Sequence, residues 1–165
     1  MTETQLHPAV AAMAIDARKM LEHTDDAVVV HDTETSVALV TATDGWRVVT
    51  RFRDQPPAIE AVSDTRAAAE LVVLALIAQD WRSQHRLPYL HVIDRGAPAA
   101  GVQVTKNPET RWSVTWGTPR RRVTHLNDVR ADTLSRLLGH SVEDVVASYQ
   151  DPDGLPLFPP ATPAG

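Results

Sequence analysis

The longest apolar run in the chain is Leu71-Val72-Val73-Leu74-Ala75-Leu76-Ile77-Ala78, eight residues without a break. A bilayer crossing needs roughly 20 apolar residues, so this run indicates the core of a soluble domain. Ser63 and Asp64 precede it as candidate capping residues and helix formers follow, so we expect a helix over about 63–83. Because its middle is apolar on nearly every side, we expect other elements to pack on both flanks. Apolar residues recur on one face of this helix at helical spacing: Ala67, Leu71, Leu74, Ala78 and Trp81.

Length and composition limit the class of protein. At 165 residues the chain fits one domain that is large enough to bury its own core. It has no cysteine, which excludes a disulfide framework, a thiolate nucleophile and a cysteine-ligated metal site. The N-terminus begins Met1-Thr2-Glu3 and shows neither the basic nor the apolar region of a signal peptide. We therefore expect a soluble, cytoplasmic protein that does not enter a membrane.

Charge is unevenly distributed along the chain, whose net charge is −5. Residues 1–44 hold eight acids against two bases, and residues 141–165 hold four acids and no base. The middle, 45–140, holds fourteen bases against nine acids and is therefore net positive. Acidic ends favour a basic partner and disfavour general nucleic-acid binding, which depends on neutralising phosphates. The alternative is that these acids only keep the protein soluble.

Ahead of the central helix, the pattern predicts one helix followed by a β-meander. Residues 8–22 carry apolar residues at helical spacing, and Pro8 is suited to the first turn. Asp44-Gly45 between two strand-like runs predicts a two-residue hairpin turn. Four strands are predicted here, the last on an edge or entered from a loop: 27–30, 37–43, 46–53 and 58–62. In the third strand we expect Trp46, Val48, Thr50 and Phe52 to face the core, and Arg47, Val49, Arg51 and Arg53 the solvent.

After the central helix, a second meander and two further helices are predicted. The strands are 89–93, 102–105, 111–116 and 120–124, with Trp112, Val114 and Trp116 facing inward. Asn127 should cap a helix that ends near Leu138, and Ser141 should begin a short last helix. An apolar segment, 155–158, should return to the core, and residues 159–165 should form a disordered tail.

These elements predict an α+β fold in which antiparallel β-meanders pack on a central buried helix, with additional N- and C-terminal helices. We expect residues 1–158 to form a single domain. Two segments, 46–67 and 112–131, share the order strand, basic turn, strand and helix start. Two copies of one α+β unit explain this internal similarity, and chance explains it equally well.

No motif for catalysis or cofactor binding is visible. The seven histidines are scattered, and none pairs with another at a spacing that places two ligands on one face. The nucleophile elbow, the phosphate-binding loop with Lys and the dinucleotide-binding glycine motif are all missing. We therefore expect no metal, no cofactor and no enzymatic activity. His31-Asp32, near Asp25 and Asp26, is more typical of a polar turn than of an acid–base pair.

Two surface features stand out. Arg120-Arg121-Arg122, together with Arg47, Arg51 and Arg53, is a candidate phosphate-binding surface. A charged strand at a sheet edge, which prevents edge-to-edge aggregation, is the alternative interpretation. Trp81 lies at the end of the central helix, where we expect it to be partly exposed and to serve as an interface residue.

The order of elements and several local sequences resemble a known family. A Trp-containing meander runs through Gly45-Trp46-Arg47, and the central helix ends Asp80-Trp81-Arg82 before Leu87-Pro88. The chain then closes with Asp151-Pro152-Asp153-Gly154-Leu155-Pro156-Leu157-Phe158. With the second Trp hairpin and the helix pair, these features resemble small actinobacterial immunity proteins of polymorphic toxin systems, such as the immunity factor for tuberculosis necrotizing toxin. The resemblance covers about residues 10–158 and implies a cytoplasmic, non-enzymatic protein that blocks the active site of a secreted, NAD-hydrolysing toxin.

From this resemblance, the missing catalytic motifs and the acidic ends, we expect an antitoxin that binds and inhibits a cognate toxin. NAD glycohydrolysis is the toxin chemistry that the resemblance implies. One alternative is a chaperone or adaptor for a secretion substrate; another is a nucleic-acid-binding protein that uses Arg120, Arg121 and Arg122. The sequence leaves the oligomeric state open. The candidate partner-binding residues are Asp25, Asp26, Asp32, Glu34, Asp44 and Trp81.

Overall fold

The structure is a computed structural model, and it describes residues 5–92, 97–108 and 111–159. Within these residues the helices are α1 (Pro8–Asp16), α2 (Arg66–Gln84), α3 (Asp128–Leu137) and α4 (Val142–Gln150). The strands are β1 (Met20–His23), β2 (Ala27–His31), β3 (Thr35–Ala42), β4 (Gly45–Phe52), β5 (Ala58–Ser63), β6 (Gln103–Lys106), β7 (Trp112–Trp116) and β8 (Arg121–Leu126).

The strands form one antiparallel sheet in the order β1-β2-β3-β4-β5-β8-β7-β6. Strands β1 to β5 make one meander and β6 to β8 a second, and the two meet where Val62 pairs with Thr124 and Ser63 with Val123. Of the two alternatives expected for β5, an edge strand or a strand entered from a loop, the edge position is wrong, because β5 lies between β4 and β8. The α+β class with antiparallel meanders is confirmed. The single domain with an internal repeat stays a prediction.

Helix α2 lies in the middle of the molecule and contacts β3, β4, β5 and all three other helices. Leu74 and Ala78 are completely buried in the core that it shares with the sheet. Its first turn buries Ala68 and Ala69, whereas Ala67, which we expected on the apolar face, is exposed. The predicted capping residues are also wrong, because Ser63 and Asp64 precede the N-cap residue, Thr65.

The first helix is shorter than its periodicity predicts. It ends at Asp16, because Arg18 adopts a left-handed backbone conformation (φ 58°) and the Lys19 N–H donates to the Ala14 carbonyl oxygen. The residues that follow form β1, in which Leu21 pairs with Val30 of β2. Pairing at the sheet edge thus overrides the helical spacing over residues 17–22.

The turn between β3 and β4 is Thr43-Asp44, one position earlier than expected, so that Gly45 begins β4 opposite Ala42. Gly45 has a φ of +123°, and a Cβ atom at this position would overlap the carbonyl oxygen of Ser63 in β5. Glycine is therefore required here both by the backbone conformation and by the close approach of the neighbouring strand.

The strand predicted over 89–93 is absent from residues 89–92, and Ile93 lies outside the described residues. Instead, the side-chain amide of Gln79 on α2 holds this segment. Its Nε2 donates to the Leu90 carbonyl oxygen at 2.9 Å, and its Oε1 accepts from the Leu90 N–H at 3.2 Å. A side chain therefore takes the place of a neighbouring strand as hydrogen-bonding partner.

The C-terminal elements agree with the sequence patterns. The Asn127 side chain caps α3 by accepting from the Arg130 N–H at 2.8 Å, and Ser141 caps α4. Phe158 is buried against Tyr149, so the closing apolar segment does return to the core, although Leu155 within it is exposed. Residues 160–165 of the predicted tail lie outside the described residues.

The sheet buries one face only. Val28, Leu39 and Val48 are cross-strand neighbours and belong to the core that the helices cover. Trp46, Trp112 and Trp116 are partly buried against the same core, as their alternation predicts. Phe52 is exposed rather than inward-facing, because it is the last residue of β4 and lies beyond this core.

Candidate partner-binding surfaces

The predicted acidic residues lie at two opposite ends of the sheet. Asp32 and Glu34 are in the turn between β2 and β3. Asp25 and Asp26 precede β2 and lie at the other end, where the Asp26 carbonyl oxygen accepts from the Thr41 N–H at 2.7 Å. The turn containing Asp44 is at this same end. Since β3 is 8 residues long, the two groups are separated by roughly 25 Å and do not form one acidic surface.

Asp32 is part of an internal ion-pair cluster. The Lys19 ammonium group lies 2.5 Å from Oδ2 of Asp32 and 2.7 Å from Oδ2 of Asp80. Oδ1 of Asp32 accepts from the backbone N–H groups of Glu34 and Thr35, each at 2.7 Å. Burial alone would raise the pKa of Asp32, but Lys19 and these N–H groups outweigh it and hold the pKa well below its usual range.

Two more of the predicted acids are also paired within the chain. Glu34 accepts from the Arg53 guanidinium group at 2.8 Å, and Asp44 lies 3.2 Å from the Arg47 guanidinium group. Both pairs are solvent-exposed, so they contribute little to stability, but they do reduce the negative charge presented to a partner. Asp25 and Asp26 are exposed in the β1–β2 turn, where Asp26 accepts from the Thr24 hydroxyl group.

Trp81 is buried, and the expectation that it is partly exposed is wrong. Only 6% of its surface is accessible, and its ring stacks on His85 with 3.9 Å between centroids. Its indole Nε1–H donates to Oδ2 of Asp16 at the end of α1, at 2.7 Å. Trp81 therefore fixes α1 to α2, and the acidic partner of its indole was not identifiable from sequence because the two residues are 65 positions apart.

The second face of the sheet, which we call the open face, is not covered by the helices and carries an unexpected row of apolar residues. Val29 pairs with Ala38, Ala38 with Val49, and Val49 with Ile59, so that these residues form one row across β2, β3, β4 and β5. None of these four is part of the core or packed against it. We call them the apolar row. Ile59 is its most accessible member, at 39%.

Arginines flank the apolar row on the same face. Arg47, Val49 and Arg51 alternate along β4 and point away from the helices, as the sequence predicted for the solvent face. Arg51 is exposed, and no described residue forms an ion pair or hydrogen bond with its guanidinium group. The face is thus apolar at its centre, with arginines along β4 and β8 and one carboxylate, that of Glu22, at the β1 edge.

The run Arg120-Arg121-Arg122 does not present three guanidinium groups together. Arg120 precedes β8 and donates to the Thr115 hydroxyl group at 3.0 Å. Arg121 and Arg122 are consecutive in β8, so their side chains point to opposite faces of the sheet. Only Arg122 shares the open face with Arg47 and Arg51, which weakens the case for a phosphate-binding surface.

A groove of about 430 Å³ lies between α2, α3 and the segment that Gln79 holds. Its walls are mainly apolar, and Tyr89 and Val129 are exposed at its rim. Within the described ranges, no group of three or more His, Asp or Glu residues is arranged to hold a metal ion. Of the helices in that part of the chain, none has the length and apolar character to cross a membrane.

Comparisons with known proteins point to one family. The family model described as immunity protein 61 matches residues 11–157. The structure is similar to that of Rv3902c from M. tuberculosis, with a TM-score of 0.80, over 96% of this chain and 97% of that chain. Sequence identity between the two is 14%, so this likeness concerns the fold. No curated protein matches the chain.

Proposed function

This chain belongs to the immunity protein 61 family, and on that premise we propose that it binds and inhibits a cognate secreted toxin. The family supports an immunity role, and the observation that carries the proposal is that its model spans almost the whole α+β domain. The resemblance to immunity proteins of polymorphic toxin systems, stated from the sequence, is thereby confirmed.

The proposed mechanism is stoichiometric inhibition rather than catalysis. A rigid protein that covers the substrate cleft of an enzyme needs no reactive group of its own; it needs a complementary surface and a few anchoring residues. The continuous core and the single sheet of this protein provide a rigid support for such a surface. We propose that the toxin hydrolyses NAD, because this chemistry is what the sequence resemblance implies.

We propose that the acidic turns contribute to the rim of the interface. Asp25 and Asp26 are exposed at one end of the sheet and have no cationic partner among the described residues. Asp32, Glu34 and Asp44 are already paired with Lys19, Arg53 and Arg47, so their contribution should be smaller. Trp81 is excluded from the proposed contact surface because it is buried.

Co-expression tests the proposed function directly. A candidate toxin domain, sought among the neighbouring genes, is expressed in a heterologous host, alone and together with this protein, and cellular NAD is measured. We expect the toxin alone to deplete NAD and arrest growth, and the immunity protein to prevent both. Growth arrest that persists in the presence of the immunity protein would refute the proposal, and rescued arrest without NAD depletion would refute the assigned toxin chemistry alone.

A further inference from the structure

We infer that the toxin docks on the open face of the sheet, over the apolar row. The toxin surface that makes this contact has an apolar centre with carboxylates beside it. This inference rests on the proposed function and identifies the surface that performs it. It differs from the expectation of an acidic docking surface, because the open face is apolar and basic.

The strands of the open face carry an unusual pattern of residues. An antiparallel sheet with one face in water normally alternates apolar inward and polar outward residues. Strands β2, β3, β4 and β5 instead carry apolar residues on both faces. Val29 lies between the buried Val28 and Val30, and Val49 follows the buried Val48. Strands of this composition are typical of sheets that are covered on both sides, so this pattern indicates that a partner supplies the second cover.

The charges on this face are mainly basic. Among the outward-facing positions of β2, β3, β4, β5 and β8 there is no carboxylate, whereas Arg47, Arg51 and Arg122 all lie there. The edge strand β1 adds one carboxylate, that of Glu22, which pairs with Val29 and lies 4.0 Å from His31. The Arg47 guanidinium group is already paired with Asp44. Glu60 is not an exception, because it lies in the irregularity of β5 and binds Arg130 of α3 at 2.8 Å. No described residue pairs with the guanidinium groups of Arg51 and Arg122. A partner with carboxylates next to an apolar centre complements this arrangement.

The open face is large enough for a protein partner. Eight strands make a sheet about 34 Å wide and, at four to eight residues per strand, about 13–26 Å long, which is on the order of 600 Å². Each partner in a standard-sized interface contributes roughly 800 Å². The open face, extended by the turns at its ends, therefore has the area that a stable protein complex needs. A nucleic acid would leave the apolar row without a matching surface, because its backbone is charged.

The experiment compares two variants on the open face with two matched variants elsewhere. Ile59→Asp and Arg51→Glu alter the apolar row and its margin. Ile15→Asp places the same change at an exposed isoleucine of α1, and Arg121→Glu reverses an arginine on the other face of β8. Circular dichroism and thermal unfolding verify that each variant is folded, and calorimetric titration with the purified toxin domain gives the dissociation constant.

We expect Ile59→Asp and Arg51→Glu each to weaken binding by about tenfold or more, and both matched variants to bind within about twofold of the unaltered protein. If Ile59→Asp and Arg51→Glu bind the toxin with the same affinity as the unaltered protein, the docking surface is overturned but the proposed function stands. Failure of the unaltered protein to bind the toxin would instead overturn the proposed function. Binding of a short RNA that Arg51→Glu abolishes would assign the face to nucleic acid and overturn the inference.

Discussion

The guanidinium group of Arg82 donates a hydrogen bond to the carbonyl oxygen of Tyr149 across 2.7 Å. The same group also binds the carbonyl oxygens of Pro88, Asp151 and Pro152, each at 2.8 Å. Arg82 is 1% exposed; its bond to Tyr149 is buried, and the other three are partly buried. They fix the end of α4 and the following turn to the central helix, 67 residues away in sequence for Tyr149.

Replacing Arg82 by methionine should therefore be strongly destabilising. It keeps the apolar bulk of the side chain but leaves one buried and three partly buried carbonyl oxygens without their donor, and we expect a loss of about 3–5 kcal/mol in the free energy of unfolding. Urea unfolding followed by tryptophan fluorescence measures this loss. The exposed Arg121→Met is the control and should change stability by less than about 0.5 kcal/mol. Equal stability of the two variants would contradict the proposed role of Arg82 in fixing the end of α4 to the central helix.

The central helix gives a second prediction. Leu74 is completely buried between the sheet and the other helices, so Leu74→Ala removes apolar contacts and leaves a cavity. We expect a loss of about 2–5 kcal/mol in the free energy of unfolding. Val129→Ala on α3, where the side chain is largely exposed, should cost far less. A loss below about 1 kcal/mol for Leu74→Ala would contradict the position of α2 at the centre of the core.

Gly45 and Gly101 form a matched pair for testing the close approach of β4 and β5. Both have positive φ, but a Cβ atom would overlap the Ser63 carbonyl oxygen only at Gly45, and would meet nothing within 4 Å at Gly101. We expect Gly101→Ala to cost about 1 kcal/mol from backbone strain. Gly45→Ala should cost about 2–4 kcal/mol, because steric overlap adds to the strain. Similar thermal midpoints for the two variants would show that β5 does not approach β4 as described.

The ion pair between Lys19 and Asp32 predicts a pH dependence. Because the folded-state pKa of Asp32 is lowered, its stabilising contribution is present above the unfolded value of about 4 and is lost as the pH falls through the folded value. Asp32→Asn retains the oxygen that accepts from the Glu34 and Thr35 N–H groups but removes the charge beside Lys19. The variant should therefore lose stability less steeply than the wild type below about pH 4. Parallel curves of urea midpoint against pH would refute this assignment.

The elements with local signals were predictable from sequence. Asn127 and Ser141 mark the starts of α3 and α4 because their side chains cap the helices directly. The long apolar run of α2 indicates a buried helix whatever its surroundings are. In contrast, residues 20–22 of β1 were predicted as helix, because they are strand only through pairing with β2, which no local pattern encodes.

The hydrogen bonds of Arg82 and the residues of the open face could be predicted only in part. Arg82 binds backbone carbonyl oxygens, and these have no side-chain signature in the sequence. The charged residues of β4 were assigned correctly to the solvent face by simple alternation. The apolar row was not identified, although the consecutive valines of β2 and β4 carried its signal; recognising it required the register that aligns Val29, Ala38, Val49 and Ile59.

The most direct test of the account is a titration of toxin activity with this immunity protein. The purified cognate toxin domain is held at a concentration well above the dissociation constant, and NAD hydrolysis is measured as the immunity protein is added. We predict that activity falls linearly and is abolished at a ratio of one to one, because inhibition is by stoichiometric binding. Full toxin activity at a severalfold excess of the immunity protein would contradict the central claim.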